Sequence, residues 1–266
     1  MNEFCLANYV NLEDLFHKKP VGWSITNHYT RITRGFRRKE VHLFVAPSGV
    51  GKTRTGVCVA CRLLQQGLKV VYLTFEQKVV DIAELVVAGF GGSREEPKWD
   101  IVGKQKLRIE RFEPDSEEHM INMFSCWKGA DAVIIDYLTV PYSCGLEGGE
   151  TSGTLMRMMQ AIHKAAEENN QFVFCMMQGK PREKGSTQFC DSSFIWGSRQ
   201  VVNAAEVVVI AQRTDVKNQL DLDFIKVRYG NLGTNLRIKW DFDYEHCSFE
   251  DIGPIWYSDT MEEVSE

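Results

Sequence analysis

No stretch of this chain approaches the roughly 20 consecutive apolar residues that a membrane-spanning helix needs. The opening residues, Met1 to Lys19, also lack the apolar block of a secretory leader and carry Glu3, Glu13 and Asp14 instead. A membrane partner is therefore not expected, and a cytoplasmic setting is. The eight cysteines, at positions 5, 58, 61, 126, 144, 175, 190 and 247, show no disulfide-framework spacing. At 266 residues the chain can bury a sizeable core without such staples. Cys58 and Cys61 form a CxxC with no second CxxC or HxxxH after it, so a zinc site is not expected. The plainer reading is two small core residues one helical turn apart. Positive charge is not in excess: 31 Lys and Arg face 36 Asp and Glu, for a net charge of −5. Nucleic-acid binders usually carry a basic footprint, and bulk composition shows none. Two local basic runs stand against that balance: Arg31, Arg34, Arg37, Arg38 and Lys39, and then Lys180, Arg182 and Lys184. Each run also reads as a solvated face. Nothing repeats and no stretch is of low complexity. Hydrophobic residues at 44% and charged residues at 25% are ordinary for a soluble globular protein.

What is present is a βα alternation. Residues 11–19 read as a short helix with Asn11 as N-cap and Pro20 ending it, a linker or docking segment covering residues 1–21. From Val41 the pattern repeats as strand and helix. Val41–Ala46 is an apolar strand, Thr53–Gln66 a helix closed by Gly67, Val70–Phe75 a strand, and Val79–Gly89 a helix. Lys106–Phe112 reads as a weaker strand and Glu117–Lys128 as a helix. Ala132–Ile135 and Phe172–Met177 are buried strands on either side of a long helix, Thr154–Asn169. Later strands fall at Glu206–Ala211, Leu222–Arg228 and Asn235–Asp241. Short continuous apolar strands separated by helices predict an α/β fold, a mostly parallel twisted sheet covered on both faces. The expected main domain is 22–257, and the acidic tail 258–266 is expected to be disordered.

The sharpest motif is Ala46-Pro47-Ser48-Gly49-Val50-Gly51-Lys52-Thr53, followed by Arg54. It lies between a strand and a helix, the context a Walker A phosphate loop requires. Gly49 and Gly51 let the backbone turn its N–H groups toward phosphates, and the helix N-terminus adds positive potential. Lys52 reaches phosphate oxygens, and the Thr53 hydroxyl suits Mg²⁺. Ala132-Val133-Ile134-Ile135-Asp136 is an apolar strand ending in a carboxylate, a Walker B pattern in which Asp136 supports the metal. Glu76 ends the second strand, where a carboxylate can orient and deprotonate water; the alternative is an exposed strand-end acid. Gln178 ends the strand Phe172–Met177 beside the expected γ-phosphate position; an ordinary loop amide is the alternative.

The order of these pieces resembles the RecA-like ATPase domain of DnaB-type hexameric replicative helicases, including the helicase half of phage primase–helicases. The resemblance spans Gly22 to Asp251. It rests on the phosphate loop, Val70 to Glu76, Ile134-Ile135-Asp136-Tyr137-Leu138, Phe174 to Gln178, Gly197-Ser198-Arg199-Gln200, and Ala204 to Ile210. Lys226-Val227-Arg228-Tyr229-Gly230-Asn231-Leu232-Gly233-Thr234 and Phe249-Glu250-Asp251 complete it. It implies an ATP- and Mg²⁺-dependent helicase or translocase on single-stranded DNA, working in replication as a hexamer, with a primase or helicase loader as partner and, if phage-encoded, in the host cytoplasm.

By the same resemblance, Lys52 and Thr53 bind phosphate and Mg²⁺, Glu76 is the base, and Gln178 senses the γ-phosphate. Lys226 and Arg228 reach the γ-phosphate of a neighbouring subunit; two apart on a strand, they share one face. A cationic edge that discourages aggregation is the alternative reading of that pair. Two loops would line the channel, Pro141 to Gly153 and Gly179 to Trp196, and Lys180, Arg182 and Lys184 in the second would contact DNA. Phe189, Phe194 and Trp196 read as core more readily than as base-stacking groups. Only about 40 residues precede the phosphate-loop strand, so no second domain is expected before it. Two alternatives share the fold: a RecA-type recombinase, and a nucleotide-regulated oligomeric ATPase that does not unwind.

Overall fold

The apolar runs become the inner strands of one sheet in the computed structural model, which describes residues 22–257 and 264 apart from 94, 97, 99–101, 114–115, 125–126, 141–148, 196–198, 231 and 233. Its strands are β1 (Val41–Ala46), β2 (Val70–Thr74), β3 (Leu107–Arg111), β4 (Ala132–Leu138), β5 (Phe172–Gln178), β6 (Val207–Arg213), β7 (Gln219–Val227), β8 (Leu236–Asp243) and β9 (Ser248–Tyr257). Their order is β3-β2-β4-β5-β1-β6-β7-β8-β9. All ladders from β3 across to β6 are parallel. β7, β8 and β9 extend the sheet as antiparallel neighbours. The helices are α1 (Asn27–Thr33), α2 (Lys52–Gln65), α3 (Val79–Gly89), α4 (Glu117–Met123) and α5 (Gly149–Glu168).

Side-chain parity explains why the inner strands are apolar throughout. Phe44 and Ala46 of β1, Tyr72 of β2, Ile134 of β4, and Phe172, Phe174 and Met176 of β5 enter one core with residues of α1, α2 and α3. The intervening Leu43, Val45, Leu73, Ile135, Val173 and Cys175 enter a second core with residues of α4 and α5. A strand buried on both faces has no position for a solvated side chain, so alternation is lost.

The boundaries differ from expectation where local signals compete. α5 begins at Gly149, within the stretch read as a loop. α4 stops at Met123, short of the expected Lys128. α1 was not expected. It is seven residues with β-branched Ile32 and Thr33, held by the Thr26 cap and the burial of Tyr29 and Ile32 rather than by propensity. β9 runs through Gly253 and Pro254, which argue against a strand in sequence; as an edge strand it tolerates a missing donor. The expected helix at 11–19 lies outside the described residues. Of the tail expected to be disordered, only Val264 is described; it is buried, and its N–H donates to the Ile255 carbonyl. Among the described residues no helix is long and apolar enough to cross a membrane.

Candidate functional site: a phosphate-binding cleft at the carboxyl edge

Register brings the motif residues to one edge. Ala46 lies beside Gln178 and Thr74 beside Asp136, at the carboxyl ends of four adjacent parallel strands. The loop after β1 turns through Gly49 at φ 75° and Gly51 at φ 105°. A Cβ at either would meet nothing within 4 Å, so the backbone conformation, not crowding, calls for glycine. Gly51 caps α2 with no side-chain acceptor, leaving the first N–H groups of a 14-residue helix facing the loop.

Lys52 is the first residue of α2 and is buried. Its ammonium donates to the Ala46 and Pro47 carbonyls at 3.1 and 3.0 Å and to Gln178 Oε1 at 2.7 Å. The Tyr137 ring centroid lies 5.1 Å from it. Burial lowers the Lys52 pKa, opposed by the charges of Asp136 and Glu76. Asp136 is 1% exposed. Its Oδ2 accepts from the Tyr72 hydroxyl at 2.8 Å, and that hydroxyl also lies 3.3 Å from the Thr53 carbonyl. Burial pushes the Asp136 carboxyl upward against the Tyr72 and Thr53 hydroxyls and the Lys52 charge. Asp136 Oδ1 is buried without a hydrogen-bond partner, and the Asp136–Tyr137 peptide is cis. Glu76 follows the end of β2 and is exposed. It lines a cleft of about 510 Å³ with Gly49, Gly51, Lys52, Thr53, Arg54, Gln178, Arg213 and Tyr244.

Several residues in and behind this cleft were missed in the sequence. Tyr72, fully buried behind it, carried a signal, a phenol in the middle of an apolar strand. Gly56 gives it room: a Cβ there would fall 2.4 Å from Met176 Cε and 3.0 Å from the Tyr72 hydroxyl. Arg213 ends β6 and donates to the Gly49 carbonyl. Tyr244 accepts the Arg54 guanidinium on its carbonyl at 2.6 Å, with its ring centroid 5.4 Å from that group. Neither carried a recognisable motif.

The expected trans-acting pair lies elsewhere. Val227 pairs with Val207 at the start of β6, and Val207 continues the register of His42 at the start of β1. Lys226 and Arg228 are thus at the amino edge, about 13 Å of strand below Ala46 at ~3.3 Å per residue. They do share a face: both approach the Asn203 carbonyl, at 3.1 and 3.5 Å.

The basic loop after β5 needs one correction. Lys180 and Lys184 are exposed. Arg182 is not a free surface cation: its side chain is 6% exposed and pairs with Asp221 at 2.6 Å while donating to the Gln188 carbonyl. Gln212 ties the same loop, accepting from the Arg182 N–H and donating to the Lys180 carbonyl. Phe194 packs against the second core, and Phe189 lies under Arg237. Trp196, Gly197, Ser198 and residues 141–148 fall outside the described residues, and the side chains of Arg199 and Gln200 are likewise not described. Cys58 and Cys61 are buried, as expected of core residues; the Cys58 thiol donates to the Cys247 carbonyl at 2.8 Å, a contact the sequence did not indicate.

No protein-family model matches the chain. Its fold is similar to a solved ATPase domain, with a TM-score of 0.73 and 16% identity over 91% of this chain and 96% of that one. It is similar to a DnaB-like replicative helicase described with its interactions with primase, with a TM-score of 0.72 and 15% identity over 94% of this chain and 68% of that one. The RadB recombinase gives 0.62 and 14% over 87% and 100%. At these identities the likenesses establish the architecture: a RecA-like mixed α/β fold with a central, mostly parallel sheet.

Proposed function

We propose that this chain is an ATP hydrolase that couples turnover to movement along single-stranded DNA, as a DnaB-type ring helicase, with ATP cleaved between neighbouring subunits. One observation carries the reading. Lys52, Thr53, Glu76 and Gln178 line the cleft at the carboxyl edge with Asp136 buried behind it, while Lys226 and Arg228 stand at the amino edge, beyond reach of their own cleft. This placement supports a role toward a nucleotide held by another copy.

In this reading the loop N–H groups and Lys52 bind the β- and γ-phosphates, Lys52 exchanging its carbonyl and Gln178 contacts for phosphate oxygens. The donor set fits Mg²⁺: hard oxygens from Thr53 and Asp136, with Asp136 Oδ1 buried and without a partner. Bound Mg²⁺ supplies charge neutralisation on the phosphoryl oxygens. Tyr72 fixes the orientation of Asp136. Glu76 orients water and takes its proton, and Gln178, released by Lys52, passes the state of the cleft to the loop carrying Lys180 and Lys184. Lys226 and Arg228 from the neighbour stabilise charge on the leaving phosphoryl group. A hexamer, a primase or loader as partner, and a cytoplasmic location belong to the same proposal, supported by the likeness to a helicase described with primase. The likeness to RadB sustains a recombinase as second reading. A forked DNA with ATP and Mg²⁺ separates them: strand release in closed rings supports the helicase, and filaments that coat the strand without releasing it support the recombinase.

A further inference from the structure

We infer that Glu206 is a positioning residue for the neighbour's reaction: it aims Arg228 out of its own subunit. The inference rests on the reading above, in which Arg228 acts in trans. Glu206 precedes β6 and is 2% exposed. Its Oε2 accepts the Val41 N–H at 2.9 Å, which fixes the carboxylate to the first residue of β1. Its Oε1 accepts from Arg228 Nη1 at 2.9 Å and lies 3.2 Å from His163 Nε2. The two residues are also joined through the backbone, Arg228 N–H to Glu206 carbonyl at 2.9 Å. The Arg228 side chain nevertheless remains 41% exposed.

A buried carboxylate is costly, and an apolar side chain would serve stability as well. What the charge adds is direction. A guanidinium has five N–H donors in a rigid fork. Glu206 and the Asn203 carbonyl engage Nη1 and Nη2, and the exposed remainder can meet a phosphoryl oxygen outside the subunit. Lys226 is held from the same segment, by the Val202 and Asn203 carbonyls at 2.8 and 3.1 Å. The short turn before β6 therefore holds both cations, and Glu206 is its only charged acceptor among the contacts these two cations make.

The test is subunit mixing with single-stranded DNA and ATP. Alone, Glu206→Gln should lower kcat about 10- to 100-fold, the scale of a misplaced reacting group, with KM for ATP nearly unchanged and assembly intact. Mixed with Glu76→Gln, it should regain activity above the sum of the two, because each Glu76→Gln subunit lends an intact Arg228 to an intact Glu76 next door. Mixed with Arg228→Ala it should gain nothing, since both are damaged in the lending half. Turnover of Glu206→Gln within twofold of the parent, or no gain with Glu76→Gln, overturns the inference. The control is Arg228→Ala mixed with Glu76→Gln: if that pair gains and the Glu206 pair does not, Glu206 alone loses its role, and if the control itself fails, the trans reading falls with it. Should Glu206→Gln not fold, Glu206→Asp, which withdraws the charge by one methylene, must give the same pattern.

Discussion

Replacing Arg237 with Met strands a carboxylate beneath the loop that follows Gln178. Arg237 is 2% exposed and Asp223 fully buried. The guanidinium meets both carboxylate oxygens, Nε to Oδ1 at 2.6 Å and Nη2 to Oδ2 at 2.9 Å. It also donates to the carbonyls of Thr187 and Gln188, while Asp223 accepts the Cys190 N–H at 2.8 Å. The pair thus fastens the loop to β7 and β8. In Arg237→Met an unbranched apolar side chain remains, but of the described contacts Asp223 retains only the Cys190 N–H. Breaking one side of a buried ion pair costs about 3–5 kcal/mol, a large share of the roughly 5–15 kcal/mol that holds a domain together. At ~2–4 °C per kcal/mol for a chain of this size, Tm should fall by roughly 6 to 20 °C. Adding Asp223→Asn removes the stranded charge, so the double variant should be more stable than the two separate losses sum to, by about 1 kcal/mol or more. Urea unfolding followed by tryptophan fluorescence reads both quantities, and trypsin should cut after Lys184 faster in Arg237→Met. A loss below about 1 kcal/mol, or strict additivity with Asp223→Asn, would refute the claim that this pair anchors the loop.

Three further outcomes follow from the cleft and its rim. Tyr72→Phe removes the donor on Asp136 Oδ2 and should cost about 1.5–3 kcal/mol, as for hydrogen bonds to charged groups, with weaker Mg²⁺–ATP binding by calorimetry. Glu76→Gln should bind ATP normally yet hydrolyse it about 10²- to 10⁴-fold more slowly, the range of general-base loss. His246, beside Asp243 at 2.7 Å, has its pKa raised above 6.5 by that carboxylate. The contact's stabilisation is therefore complete at pH below 6.5 and lost as pH rises through the raised value. An NMR titration should show a midpoint above 6.5 that Asp243→Asn returns toward it, and a midpoint at 6.5 in the parent would discard the pairing.

The inner sheet was legible because burial on both faces leaves continuous apolar runs, and the phosphate loop because its glycines answer a backbone requirement that other residues meet only at a cost. The rest was hidden by contacts between distant segments. Asp223 falls in the expected strand Leu222–Arg228 and Asp221 just before it; nothing local indicates that Arg182 and Arg237 cover them. α1 depends on the packing of Tyr29 against β1, β7 and β8 residues rather than on its own sequence. Arg213 and Tyr244 join the cleft only because β6 and the β8–β9 turn end beside the phosphate loop. Lys226 and Arg228 were readable as a pair, but Glu206, which holds Arg228, looked like the first residue of an apolar strand.

The central claim is that a triphosphate bound by Lys52 is cleaved with cations lent by an adjoining copy. Specific ATPase activity, measured across protein concentration in parallel with molecular mass in solution, tests it most directly. Activity per subunit should rise with the fraction assembled and should rise again with single-stranded DNA. A monomer that turns over ATP at the full rate, indifferent to dilution and to DNA, would contradict it.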